Sequence, residues 1–384
     1  METEMVVKVG DCILSPLGCG TLVNYEAAEK GQTSLKRYEH KWGLPEAFVA
    51  SFFDEDMLST VCAEVGVGDD YTRFERMAIV VTAKALAETD VDAASSDTMF
   101  ILASTKGNVH LLSADTECDV ERLSLSVAAD KIAGWFGNHR KPLVVSNACI
   151  SGLHAQIEAM RILQAKRAKT VIVIAADMLS PFIVSGFQAF KTVSDELCRP
   201  FDEERLGLNL GEAAACVLYQ LKTESEINAS DWIVRTGAVF NDAFHISHPS
   251  KTAEGSWRAL TETMQGIPSS SFALVNVHGT ATMYNDEMEA VALDRAGLSD
   301  VPINSLKGFW GHTLGAAGLL ETLITMASLD NGVVLGTKGF SALGVSRNVN
   351  ISADNRKATG KRFIKLISGF GGCNAAMAFE TIGK

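Results

Sequence analysis

Lys141-Pro-Leu-Val-Val-Ser-Asn-Ala-Cys149-Ile-Ser-Gly-Leu-His-Ala-Gln-Ile-Glu-Ala-Met160 is the stretch on which the reading of this chain turns. Its first apolar residues predict a strand, the small residues before Cys149 predict a tight turn, and the apolar spacing after it predicts an amphipathic helix. Cys149 falls at the junction, where the first N–H groups of a helix lack intrahelical partners and carry about half a positive charge. A thiolate is stabilised there, so the usual cysteine pKa of about 8.5 is expected to fall. The same amides suit the oxyanion of an acyl intermediate. The other cysteines (Cys12, Cys19, Cys62, Cys118, Cys198, Cys216 and Cys373) stand singly, without Cys-x-x-Cys spacing, and are expected to be small buried hydrophobes.

Outward from this unit, short β-branched runs alternate with helical patterns. Strands are predicted at Phe100–Ala103, Leu143–Val145, Val171–Ala175, Ala214–Tyr219, Leu274–Val277 and Arg362–Ile367, and helices over Glu75–Leu86 and His154–Leu163. Fully apolar strands separated by helices predict an α/β fold with sheets covered on both faces. The polar run Thr223–Asp231 is the expected connection between two halves, although no sequence repeat is evident.

The chain has 384 residues, 47% hydrophobic and 21% charged, which excludes disorder as its main state. Its net charge of −12 argues against nucleic acid or an anionic membrane as a partner. The amino terminus carries early acids and no cationic segment before an apolar run, and apolar stretches end after about six residues, far short of a membrane span. The expectation is a cytoplasmic protein without a membrane segment.

Two histidines stand beside glycine. His278 follows Leu274-Val-Asn-Val and opens Gly-Thr280-Ala-Thr282, and His312 lies in Lys307-Gly-Phe-Trp-Gly-His312-Thr-Leu-Gly-Ala-Ala-Gly318 ahead of Glu321. Glycines here admit close approach of backbone or ligand. The second run lacks the Gly-Lys-Ser/Thr ending of a phosphate loop. His245 and His248 have His-x-x-His spacing, but no acidic or cysteine pattern accompanies them, so no metal site is predicted. A further glycine cluster, Ser368-Gly-Phe370-Gly-Gly-Cys-Asn374, follows the last long strand.

Taken in chain order, Cys149, His278, Lys307, His312, Glu321 and Gly369-Phe-Gly-Gly372 resemble the elongating β-ketoacyl-acyl-carrier-protein synthases of the thiolase superfamily. The resemblance includes Arg199-Pro-Phe-Asp202, Arg205, Gly211-Glu212 and Asp242-Ala-Phe-His245, and it spans nearly the whole chain. It implies a thiolase-like α/β fold of two related halves, residues 1–225 and 226–384, packed as a five-layer α-β-α-β-α sandwich. It implies that Cys149 accepts the acyl group, His278 and His312 form the decarboxylation pair, and Lys307 with Glu321 orders the site. Thr280 and Thr282 match positions that bond the pantetheine arm, Phe187 a pocket-lining aromatic, and Phe370 the gate and oxyanion hole.

By the same resemblance no metal or resident cofactor is required, since phosphopantetheine arrives on an acyl carrier protein. That carrier is acidic, so a basic patch is expected near the tunnel mouth, with Arg73 and Arg76 matching the docking helix and Arg140, Lys141, Arg347 and Lys36 as further candidates. The expected assembly is a dimer, with a second copy or a related subunit. The chain departs from the family at Asn147 and at Ile150, a bulky neighbour of the nucleophile expected to reshape the acyl pocket. The alternative of a non-catalytic chain-length-factor-like partner subunit is disfavoured because cysteine and both histidines are present.

Overall fold

The computed structural model describes residues 3–113 and 119–383; Cys118 lies outside them. The first part of the chain runs β1 (Glu4–Ser15), α1 (Arg73–Leu86), β2 (Thr98–Ala103), α2 (Leu125–Trp135), β3 (Leu143–Val145), α3 (Ser151–Gln164), β4 (Thr170–Asp177), α4 (Pro181–Ala189) and β5 (Ala213–Thr223). The second runs β6 (Trp232–Asn241), α5 (Glu254–Thr263), β7 (Leu274–Asn276), α6 (Met283–Arg295), β8 (Pro302–Asn304), α7 (Ala317–Asp330), β9 (Arg362–Gly369) and β10 (Cys373–Thr381).

The strand orders are β3-β2-β4-β5-β1 and β8-β7-β9-β10-β6, the same topology twice. In each, the three strands at the outer end pair in parallel and the remaining pairs are antiparallel. The two sets meet where β1 pairs with β6, Val6 opposite Val234. A structural duplication is thus present where no repeat is legible in the residues themselves.

Side-chain alternation builds the layers. On β4, Val171, Val173 and Ala175 enter the central core with α3 and α7, whereas Ile172, Ile174 and Ala176 pack under α1 and α2. On β9, Phe363 and Ile367 join the central core, whereas Ile364 and Leu366 pack against α5 and α6. The result is the five-layer α-β-α-β-α sandwich, with α3 and α7 buried between the sheets. No helix among the described residues is long and apolar enough to cross a membrane.

The central helices pack closely through glycine. A Cβ on Gly152 would lie 2.6 Å from the Gly315 carbonyl oxygen, and one on Gly318 would lie 2.7 Å from the Leu153 nitrogen. Gly152 follows Cys149 by three residues and Gly315 follows His312 by three. The helix contact therefore brings Cys149 of the first repeat towards His312 of the second.

Candidate active site

Between β3 and α3 the chain turns sharply, and Ala148 adopts a left-handed conformation with φ 47°. The Ser151 hydroxyl closes the turn, donating to the Ala148 carbonyl at 2.6 Å and accepting from the Asn147 amide at 2.8 Å. Cys149 Sγ lies within 4.8 Å of a ring nitrogen of both His278 and His312, and those nitrogens lie equally close to each other. The two imidazole rings meet edge-on, centroids 4.9 Å apart.

Each histidine is held by its backbone. The His278 and Gly279 amides donate to the Glu289 carboxylate, both at 2.6 Å, and Asp286 accepts the Thr280 amide at 3.0 Å. The His312 amide donates to the Asn209 carbonyl at 2.7 Å, and its own carbonyl accepts the Gly211 amide at 3.0 Å. The rings are left free: His278 Nδ1 and both ring nitrogens of His312 are buried without a partner.

Lys307 donates to Glu321 at 2.5 Å, the pairing expected from the sequence. The second oxygen of Glu321 accepts from Lys365 at 2.5 Å. Sequence reasoning missed Lys365; its signal was a lone lysine within an apolar strand. It also gave no role to Asp286, Glu289 or Asp177, whose carboxylates hold the loops around the cavity.

Burial, reinforced by Lys307, the neighbouring His312 and Lys365, holds His278 well below the ordinary imidazole pKa. Burial with Lys307 and Lys365 does the same at His312. Both rings are therefore neutral at pH 7. The sequence pointed to lysine as the cause; burial is the larger one. Burial, with the nearby Cys373, pushes the Cys149 thiol up to about 12, and Lys307 opposes it. The shift runs opposite to the lowered pKa expected at a helix terminus, and desolvation of the sulfur is its largest cause.

The three side chains sit in a cavity also lined by Thr280, Thr282, Phe187, Phe190 and Phe370. The Phe370 ring stacks on Phe187 with centroids 5.6 Å apart and meets Phe190 at 5.3 Å, and all three rings line the cavity. The Thr280 and Thr282 hydroxyls hydrogen-bond each other at 2.9 Å. Ile150 is fully buried in the central core and is not among the residues lining this cavity.

The basic mouth expected from the sequence is not what surrounds the opening. Leu206, Ile246, Met283 and Tyr284 are exposed there, and Lys191 is the one lysine or arginine lining it among the described residues. The Arg73 guanidinium is bonded twice at 3.0 Å to the buried Glu212. Arg76 is paired with Asp69 at 2.7 Å and is mostly covered. Lys141 pairs with Asp130, and Arg140 donates to backbone carbonyls.

Residues 65–225 match the family description "Beta-ketoacyl synthase, N-terminal domain" and residues 232–341 match "Beta-ketoacyl synthase, C-terminal domain". The chain is 26% identical, over 427 aligned positions covering 99% of it and all of the relative, to 3-oxoacyl-[acyl-carrier-protein] synthase 2 of Vibrio cholerae. It is 27% identical over 283 residues, 68% of this chain and 66% of the relative, to a mitochondrial protein of Schizosaccharomyces pombe named as a 3-oxoacyl-[acyl-carrier-protein] synthase. Its fold matches the ketosynthase ApeO, solved in complex with its chain length factor ApeC from Xenorhabdus doucetiae, with a TM-score of 0.87 at 19% identity over 98% of each chain. A cysteine facing two uncharged histidines, on a duplicated fold whose two parts both match, makes this chain a member of the β-ketoacyl synthase family.

Proposed function

We propose that this chain catalyses the decarboxylative condensation of a carrier-bound acyl group with a malonyl-carrier thioester, giving a 3-oxoacyl carrier. In the first half-reaction the Cys149 sulfur attacks the acyl thioester carbonyl. The carrier sulfur leaves, and the thiol proton ends on it. Cys149 begins as a thiol, so the proton leaves sulfur as the new bond forms, which suits a buried nucleophile.

In the second half-reaction the malonyl carboxylate leaves as CO2, and its bonding electrons form an enolate at the thioester. N–H donors from the neutral His278 and His312 stabilise the enolate oxygen. Each preorganised donor contributes about 3 kcal/mol, so two supply roughly four powers of ten in rate. The enolate carbon attacks the acyl carbonyl, the carbon–sulfur bond to Cys149 breaks, and the released thiolate takes a proton from solvent once the enolate has been consumed. Neutral rings serve better than charged ones, because an imidazolium would stabilise the malonyl carboxylate before it departs. Burial of the site keeps water from protonating the enolate.

Thr280 and Thr282 hold the pantetheine arm in this reading, Phe370 gates the acyl pocket, and the Cys149 and Phe370 amides receive the oxyanion. No metal or resident cofactor takes part, phosphopantetheine being part of the substrate. The partner is an acyl carrier protein, and the apolar rim favours a docking contact that depends less on charge than the sequence suggested. The open edge of the sheet at β3 supports assembly with a second copy or a related subunit.

The observation that carries the reading is the approach of Cys149 to two unpartnered, uncharged histidines. The test is mass spectrometry of the protein after incubation with acyl-carrier thioesters and then with malonyl carrier. One acyl group should appear on Cys149 and be lost as a 3-oxoacyl carrier. A protein that never acquires the acyl group is a non-catalytic partner subunit instead.

A further inference from the structure

In parallel register β9 sets Lys365 beside Asn276 of β7, and Lys365 is fully buried. Its ammonium donates to Glu321 Oε2 at 2.5 Å, Asn276 Oδ1 at 2.6 Å and the Val277 carbonyl at 3.3 Å. An ammonium has three N–H groups, and three oxygens receive them; a neutral amine would leave one acceptor unused. Glu321 sits between two ammonium groups, Lys307 and Lys365, and the three side chains together carry one net positive charge in the core. Apolar side chains of similar volume would avoid the desolvation this arrangement incurs, so a purely structural role explains it poorly.

Val277 directly precedes His278, so the same ammonium holds the strand end from which that histidine projects. The charged and titratable groups around the imidazole pair include Cys149 on the N-terminal side of α3, Asp177 at the end of β4, Asp286 and Glu289 on α6, Lys307 before His312, Glu321 on α7, Lys365 on β9 and Cys373 on β10. Glu289 and Asp286 are engaged by backbone amides, and Glu321 is shared between the two lysines. Lys365 is therefore the cation not accounted for by the expected Lys307–Glu321 pair.

We propose that Lys365 is a positioning residue for the condensation, a built-in cation that fixes Glu321 and the Val277 carbonyl and sets the field at His278 and His312. The proposal rests on the reaction assigned above. Removing the charge while keeping the bulk, in Lys365→Met, lets the histidines gain protons more readily. The decarboxylation kcat then falls by about tenfold or more, with KM changed much less, and its acid limb moves to higher pH. Acyl transfer to Cys149 is affected less.

The smaller variant Lys365→Ala leaves the Glu321, Asn276 and Val277 oxygens facing a space the size of a small amine. Ammonium or methylammonium ions restore part of its rate, whereas sodium chloride at equal ionic strength restores less. A purely structural lysine would give neither the shifted pH profile nor the amine rescue.

The experiment combines these kinetics with NMR titration of ring-15N-histidine in the wild type and both variants. Neutral rings at pH 6 in the wild type, and protonation at higher pH in the variants, support the proposal. Folded variants with unchanged titrations and pH profiles overturn it, as do charged rings in the wild type, which decides the matter even if neither variant folds. If the wild type condenses no acyl group, the functional reading fails while the titrations still report on Lys365.

Discussion

Asp177 Oδ2 accepts the Gly315 amide at 2.7 Å, so a carboxylate at the end of β4 holds the loop that carries His312. The same carboxylate accepts the Ser104 hydroxyl at 2.8 Å and the Thr105 amide at 3.0 Å, beyond the end of β2. Strand ends of the first repeat are thereby tied to the second across the middle of the molecule. Burial raises the Asp177 pKa from its ordinary value, and these hydrogen bonds work against that shift.

Asp177→Asn replaces one acceptor oxygen by a donor facing amides that need an acceptor. A loss of about 1–3 kcal/mol in stability is expected from the unpaired buried group, together with a lower kcat at little-changed KM, because the His312 loop loses its anchor. Urea denaturation and steady-state kinetics check both. A variant with wild-type stability and kcat would show that the cross-repeat bond is dispensable.

The resting Cys149 thiol, pushed up to about 12 mainly by burial, sets a clear pH signature. With a pKa raised that far, the thiolate fraction is small at pH 7 and rises about tenfold with each pH unit. Alkylation of Cys149 by iodoacetamide, followed by peptide mass spectrometry, should therefore still be climbing at pH 9. A plateau below pH 8.5 would mean that the helix terminus governs the sulfur after all.

The histidines couple pH to stability in a definite direction. In the folded protein burial keeps His278 and His312 neutral, whereas in the unfolded chain each takes a proton below about pH 6.5. The unfolded state then binds more protons, so stability is retained above that pH and lost as pH falls below it. Between pH 7.5 and 5.5 the loss should be about 1.4 kcal/mol per histidine. Urea denaturation of a His278→Asn, His312→Asn double variant should show a shallower decline than the wild type; parallel declines refute the linkage.

The legible part of this protein was local. Fully apolar strands read as buried ones because both sheet faces are covered, and Cys149, His278 and His312 stood out beside small residues that shape tight turns. What escaped depends on contacts between distant segments. Lys365 becomes meaningful only when β9 aligns it with Asn276, and the apolar rim forms only when Leu206, Ile246 and Tyr284 meet at one opening. Ile150, next to Cys149 along the chain, packs into the central core and is absent from the cavity lining.

Arg73 shows how a surface-like arginine can be structural. Its bidentate partner Glu212 is buried and also accepts the Phe53 amide at 3.1 Å and the Leu179 amide at 2.9 Å. Arg73→Ala leaves that carboxylate without its counter-charge, which costs about 3–5 kcal/mol. Denaturant midpoints should fall sharply, while KM for the acyl carrier in the surviving folded fraction stays within about twofold. A stable variant with a raised carrier KM would restore the docking role.

Gly152→Ala tests whether the approach of α3 to α7 sets the catalytic geometry. The added Cβ would meet the Gly315 carbonyl oxygen at 2.6 Å, the Leu319 nitrogen at 3.1 Å and the Ala175 Cβ at 3.2 Å, mostly backbone that has nowhere to retreat. Overpacking of this kind costs about 1–3 kcal/mol. The larger consequence is geometric, because Cys149 and His312 each lie three residues from this contact. A shift of about 1 Å between reacting groups lowers rate by about a hundredfold. Gly134→Ala on α2 is the control: no atom lies within 4 Å of its Cβ, so a gain of about 0.5–1 kcal/mol and unchanged kcat are expected. If Gly152→Ala also keeps wild-type kcat, the helix contact serves packing alone, and the nucleophile and histidine are aligned by their own loops.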